Sequence, residues 1–189
     1  HADKWSRAVA ARLEKLIPAS VAIGEIGLDY SEGTPARELQ QEVFRAQLRL
    51  ARTAHLPVII HCRRAFADTL RILAEEKSSN IKGVMHAFSG SVEVARECIA
   101  MGLKIGIAGP VTWHDAIRPV AVVSSITLEG LLLETDAPDL SPESRRGQSN
   151  EPAFLTEIAA RVAHIKGVSI DEVATITSKN VLTLFRLPI

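Results

Sequence analysis

The sequence predicts an α/β fold of the TIM-type (β/α) barrel, and three observations carry that prediction. Five short apolar runs recur along the chain, beginning at Val21 (VAIGEIGL), Pro57 (PVIIHC), Gly83 (GVMHAF), Leu103 (LKIGIAG) and Leu131 (LLLETD). Each run is continuous rather than alternating, as parallel strands require when both sheet faces are covered and neither sees water. An amphipathic stretch follows most runs, which makes repeated βα units. Such units build either a doubly wound sheet or a barrel, and the polar residues discriminate. Glu25, His61, His86 and Asp136 lie at or near the C-terminal ends of four different runs, where a barrel gathers its chemistry. Neither glycine-rich nucleotide fingerprint, GxGxxG or Walker A, is present.

The helices are read in order. Pro35 to His55 places Leu39, Val43, Ala46, Leu50 and Ala51 along one face, with Pro35 near the first helical position. Ala65 to Lys77 turns Leu70, Leu73 and Ala74 inward. Ser91 to Met101 opens on a good N-cap and stops at Gly102. His114 to Ser125 is interrupted by Pro119. The polar stretch APDLSPESRRGQSNEP after Asp136 is loop, and two helices close the chain, Glu151 to Ile165 and Ser169 to Leu184. Ser169 and Glu172 have capping-box spacing.

Composition sets the outer bounds. The 189 residues, 47% hydrophobic and 23% charged, suit one domain over 1–189 with a sizeable core. Twenty-two basic and 22 acidic side chains leave no global field. This argues against a protein that grips DNA mainly by counterion release, although a local cluster beside a metal would suffice. Only 4% of residues are aromatic, too few for an extended base-stacking platform. No run reaches the ~20 apolar residues that span a bilayer, and no signal-peptide pattern is present. Cys62 and Cys98 have no CxxC spacing, so a reducing cytoplasm is the expected location.

Two carboxylates and two imidazoles inside apolar runs are costly to bury unless paired or bound to metal. Each alone has an ordinary explanation. His61 and His86 suit structural histidines, Glu25 suits a pair with Arg63, and Asp136 suits a loop cap. Four at equivalent positions of successive βα units favour a shared site. The mixed N/O set suits a divalent ion such as zinc, manganese or magnesium. Such an ion polarises a phosphoryl or carbonyl oxygen and brings a water pKa down to about 7.

AIGEIGLDY, PVIIHCR, GVMHAFSG and LLLETDAP, in this order, resemble the motifs of the TatD-type metal-dependent deoxyribonucleases of the amidohydrolase superfamily; RGQSNEP and the terminal TSKNVLTLF match too. The resemblance spans nearly the whole chain. It implies a TIM-type barrel, a divalent-metal site and hydrolysis of DNA from the 3′ end. By motif, Glu25 would bridge two metals, His61 and His86 would ligate one, and Asp136 would ligate the other and deprotonate the attacking water. Glu25 and Asp136 are thus the expected catalytic residues. Arg63 would hold a substrate phosphate, or else pair with Glu25 or Asp29.

The family's opening strand carries an HxH pair, and this chain has none. Five of eight barrel strands are therefore expected, with His1 standing where the family has a loop histidine. The residues leave open a stretch of a longer protein, or a short form completed by a second copy or a partner. Two rival readings follow: a catalytically impaired association module, and a hydrolase of small amides or esters. Of the remaining residues, Arg145 and Arg146 read as a solvated loop tip or a phosphate patch, Trp113 as a packing or base-stacking ring, and Cys62 as a buried thiol.

Overall fold

A computed structural model describes residues 2–76 and 82–188; His1 and Lys77, at the end of a predicted helix, lie outside the described residues. All five apolar runs form strands: β1 Ile23–Asp29, β2 Val58–Arg63, β3 Gly83–Met85, β4 Leu103–Ile107 and β5 Leu131–Leu133. They are parallel and lie in the order β1-β2-β3-β4-β5. Every crossover steps one strand in the same sense. A doubly wound sheet reverses its order at a switch point, so this is a barrel wall. Among the described residues it is not closed, because β1 and β5 do not pair.

Seven helices accompany the strands among the described residues: α1 Arg7–Leu16, α2 Arg37–Ala54, α3 Phe66–Glu75, α4 Val92–Ala100, α5 Arg118–Ser125, α6 Leu155–Lys166 and α7 Ile170–Phe185. The register explains why the apolar runs are continuous. Ile60, Met85, Ile105 and Leu131 are neighbours across four strands, none more than 1% exposed. They pack with Phe44 and Leu48 of α2, Ile72 of α3 and Ile158 of α6 in the main core. Burial of each such side chain contributes about 1.5–3 kcal/mol before entropy is counted. The opposite face, carrying Ile59, Val84 and Leu132, is covered by Val181, Leu184 and Phe185 at the end of α7. Both faces are thus lined by apolar side chains, which keeps the runs continuous, although β2 alternates between buried and half-buried residues.

Several boundaries differ from the sequence reading for identifiable reasons. α1 was not anticipated; Val9, Leu13 and Leu16 fall at helical spacing, but none of its residues is buried among the described residues. α2 buries Gln40, Val43, Phe44, Leu48 and Ala51, while Leu39 stays 37% exposed. The stripe is rotated because Gln40 is needed inside. Its Oε1 accepts from Asp29 N at 2.8 Å, and its Nε2 donates to Asp29 O and Pro35 O, each at 2.7 Å. Pro119 begins α5 rather than interrupting a longer helix, the position where a missing N–H costs nothing. Ser169 caps α7 as expected, its Oγ accepting from Glu172 N at 3.1 Å. Both cysteines are free and buried, and burial pushes their thiols up, Cys98 to about 12. No described helix is long and apolar enough to cross a membrane.

The carboxylate of Glu76, after α3, is 7% exposed and ties α3 to α2. Arg49 donates to both its oxygens at 2.7 and 2.9 Å, and Arg45 adds a contact at 3.3 Å. The Arg49 hydrogen bonds hold this carboxyl below its usual range against the opposing effect of burial. A depressed carboxylate stabilises the fold above its unfolded pKa and loses that contribution as pH falls through the folded value. Glu76→Gln is therefore expected to cost about 1–2 kcal/mol at pH 7, with the gap to wild type closing in acid. Urea titrations at pH 7 and below pH 4 check this; a gap that is constant with pH would refute the charge-based account.

Candidate metal centre

Three side chains converge on one site, two from beyond strand ends and one, Glu25, from inside β1, four residues before its end, where the sequence had placed it at or near a strand end. Glu25 comes from β1, His86 directly follows β3, and Asp136 lies three residues past β5. Each offers one ligand atom, and these atoms all lie within 4.8 Å of one another. His86 Nε2 is 3.0 Å from Asp136 Oδ1 and 3.6 Å from Glu25 Oε1. His86 continues the row of Val84, so the period of two puts it on the face turned away from the main core. The turn after β5 brings Asp136 to it.

Glu134 completes the arrangement, and the sequence reading did not single it out. Its Oε2 lies 3.1 Å from His86 Nδ1, and its Oε1 accepts from the backbone N–H of Ala87. A carboxylate on Nδ1 fixes the ring orientation and leaves Nε2 facing the ligand position. The signal was available: Glu134 is a second acid at the end of the same apolar run, LLLETD. Space for it exists because residue 106 is glycine. A Cβ there would sit 2.3 Å from Glu134 Oε1.

The electrostatics follow from this crowding of acids. His86 is pushed up to about 9, chiefly by the Glu134 hydrogen bond, with burial opposing and the charges of Glu134, Asp136 and Glu25 adding. Asp136 is raised by burial first, then by Glu134 and Glu25, while His86 pulls it down. A cation at this point relieves the mutual repulsion.

Asp136 occupies the left-handed region at φ 60°, uncommon for a non-glycine residue and kept only where surrounding contacts hold it. Asn150, 4% exposed, supplies them from the distant polar loop. Its Nδ2 donates to Thr135 O and Asp139 O, each at 2.6 Å, and its N–H donates to Pro138 O at 2.9 Å. Asn150 is a positioning residue that sequence reading placed in the loop without a role.

His61 shares the sheet face but stays outside the three-residue donor set. Its Nε2 lies 3.1 Å from Asp29 Oδ2, because Asp29 ends the adjacent strand within reach. Arg63 closes β2, exposed, with no ion pair to Glu25 or Asp29 among the described residues. Arg146 is not a free loop tip. It stacks on Trp113 at 4.3 Å and pairs with Asp115 at 2.9 Å and Glu143 at 3.4 Å. Trp113 donates its Nε1 hydrogen to Ser141 O at 2.9 Å, so ring and guanidinium clasp two loops together at the mouth.

The family model of the TatD-related DNases matches residues 1–186. The chain belongs to the TatD-related DNase family. Among its TatD relatives, a Bacillus subtilis protein named an uncharacterized metal-dependent hydrolase, YabD, is 45% identical over 88% of this chain and 66% of its own length. The 3'-5' ssDNA/RNA exonuclease TatD of Pantoea vagans is 40% identical over 99% of this chain and 75% of its own. The crystal structure of the TatD homolog YJJV from Escherichia coli superposes with a TM-score of 0.91 at 34% identity, covering 98% of this chain and 73% of that one. The chain thus spans about two thirds of the length of the first of these TatD relatives.

Replacing Glu134 by glutamine is expected to weaken manganese binding about 10- to 100-fold while the fold persists. Gly106→Ala, by displacing the same carboxylate, is expected to act in the same direction. Equilibrium dialysis of both variants checks this; wild-type affinity in both would remove the positioning role.

Proposed function

We propose that this chain is the site-bearing part of a metal-dependent phosphodiester hydrolase that shortens DNA from the 3′ end. The observation that carries the reading is the Glu25–His86–Asp136 donor set, in a chain of the TatD-related family. The 3'-5' exonuclease name of the Pantoea relative supports the finer statement. One imidazole nitrogen and two carboxylates suit magnesium, manganese or zinc, and three protein donors leave positions open for substrate.

A divalent ion held by these residues supplies Lewis acidity at a phosphoryl oxygen and makes a neighbouring water more acidic. Asp136, its carboxyl raised by burial, is the base that takes the proton of the attacking water. Glu25, with its side chain 54% exposed, would help hold the cation and is open to an incoming substrate. His86 is held by Glu134 and keeps Nε2 toward the pair. His61, paired to Asp29, would add a further nitrogen donor to this set. Arg63, free at the end of β2, holds a flanking phosphate by its two-pronged guanidinium.

Single-stranded DNA labelled at either end tests the reading. With manganese, release of label from the 3′ end is expected first, and a chelator or His86→Ala abolishes it. Hydrolysis of ester or amide substrates with intact DNA would replace DNA by a small molecule. Manganese-stimulated cleavage that survives His86→Ala would overturn the assignment of the site.

A further inference from the structure

We propose that the cavity at the N-terminal ends of β2 to β5 is a second ligand site, one that binds a nucleoside phosphate. The cavity has a volume of about 1220 Å3 and is lined by Arg52, Lys82, Arg96, Lys104, Lys179 and Arg186. Glu129 is the only carboxylate in its lining. A chain with 22 bases and 22 acids thus gathers six of the former and one of the latter around a single concavity.

Ordinary roles account for part of this set. Arg52 lies in the last turn of α2 and donates to Glu76 O at 2.8 Å, and Arg186 caps α7; cations favour helix C-termini. The other four have no such explanation. Lys82 and Lys104 stand at the starts of β3 and β4, Arg96 is in the body of α4, and Lys179 is outside the last turn of α7. Lys82, Arg96 and Lys179 are exposed and form no ion pair among the described residues. Lys104 donates to the backbone oxygen of Glu129. Burial lowers its ammonium, and repulsion from Lys82 adds to that effect against the pull of Glu129. Lys82 and Lys104 repel one another, and the cations of the lining outnumber Glu129, so the cavity carries an excess of positive charge that favours a multiply charged anion.

Apolar side chains share the same wall, among them Leu56, Ile99, Ile126 and Ile176. A lining that combines apolar and cationic side chains matches a ligand with a flat, weakly polar body and a charged tail. A nucleobase against the apolar side chains with its phosphates on the cations fits, and the volume is ample for one. The site is distinct from the metal centre. β4 separates the two ends by five residues, or about 15 Å at ~3.3 Å per residue, so one phosphate cannot occupy both.

Calorimetric titration of the chain with ADP in a chelating buffer isolates this site, since the metal centre then cannot hold phosphates. One-to-one saturation is expected with Kd of about 1 mM or tighter. Arg96→Glu with Lys179→Glu is expected to weaken it at least tenfold, and His86→Ala to change it less than twofold. Lys82→Ala, a milder change at an exposed side chain, is expected to weaken it severalfold. Adenosine should not saturate, and inorganic phosphate should bind more weakly than ADP. No saturation by 10 mM ADP, equal affinity for adenosine, or indifference to all the cavity substitutions overturns the proposal. A short single-stranded oligonucleotide that binds where ADP does not would overturn it as well, in favour of a nucleic-acid groove.

Discussion

Asp136→Asn is expected to lower metal-stimulated DNA hydrolysis by about a thousandfold while leaving the melting temperature nearly unchanged. Asparagine keeps the size of the side chain but cannot take a proton from water, and it weakens one of the donors next to His86. The fold does not depend on the charge. The loop bearing Asp136 is held through backbone oxygens by Asn150, and none of those bonds uses the Asp136 carboxylate. Turnover on a 3′-labelled strand, read beside a thermal melt, checks both halves. Hydrolysis within tenfold of wild type would show that another group accepts the proton. An unfolded variant would show that the carboxylate, not Asn150, organises the loop.

Gly27→Ala is expected to destabilise the chain on the order of 4 kcal/mol, a large share of the 5–15 kcal/mol typical of a domain. Gly27 sits at φ 135° opposite His61, and a Cβ there would lie 2.0 Å from the His61 carbonyl oxygen. Backbone meets side chain, so no rotamer change relieves the contact, and β1 must move off β2. Gly33→Ala is the control. Gly33 also has positive φ, at 80°, but nothing lies within 4 Å of its Cβ position; a cost of only about 1 kcal/mol is expected. Urea unfolding of both variants separates the two causes. Equal losses would mean that the φ value matters and the strand contact does not.

Much of this architecture was legible along the chain because burial on both sheet faces leaves a strong mark. All five continuous apolar runs are strands, and Ser91 and Ser169 cap the helices they precede. Glu25, His86 and Asp136 were readable for a related reason. A charged or imidazole side chain within an apolar run has few ways to be satisfied, so its presence marks a site. α1 was missed although Val9, Leu13 and Leu16 have helical spacing, because it precedes the first apolar run and belongs to no βα unit of the wall. Glu134 was overlooked beside Asp136, although both are acids at the end of one apolar run.

The chain sequence was enough to establish the class of fold, the strand order of a barrel wall, and the residue types that gather at one end of it. These depend on periodicity and on the cost of burying charge, both of which are local. The tertiary structure decided which polar groups pair. His61 meets Asp29, Glu134 orients His86, Asn150 holds the Asp136 loop, and Arg146, still exposed, stacks on Trp113. Such choices rest on distances of about 3 Å between residues far apart in the chain. A hydrogen bond is decided by which partner arrives within reach, and only the packed fold brings the partners together.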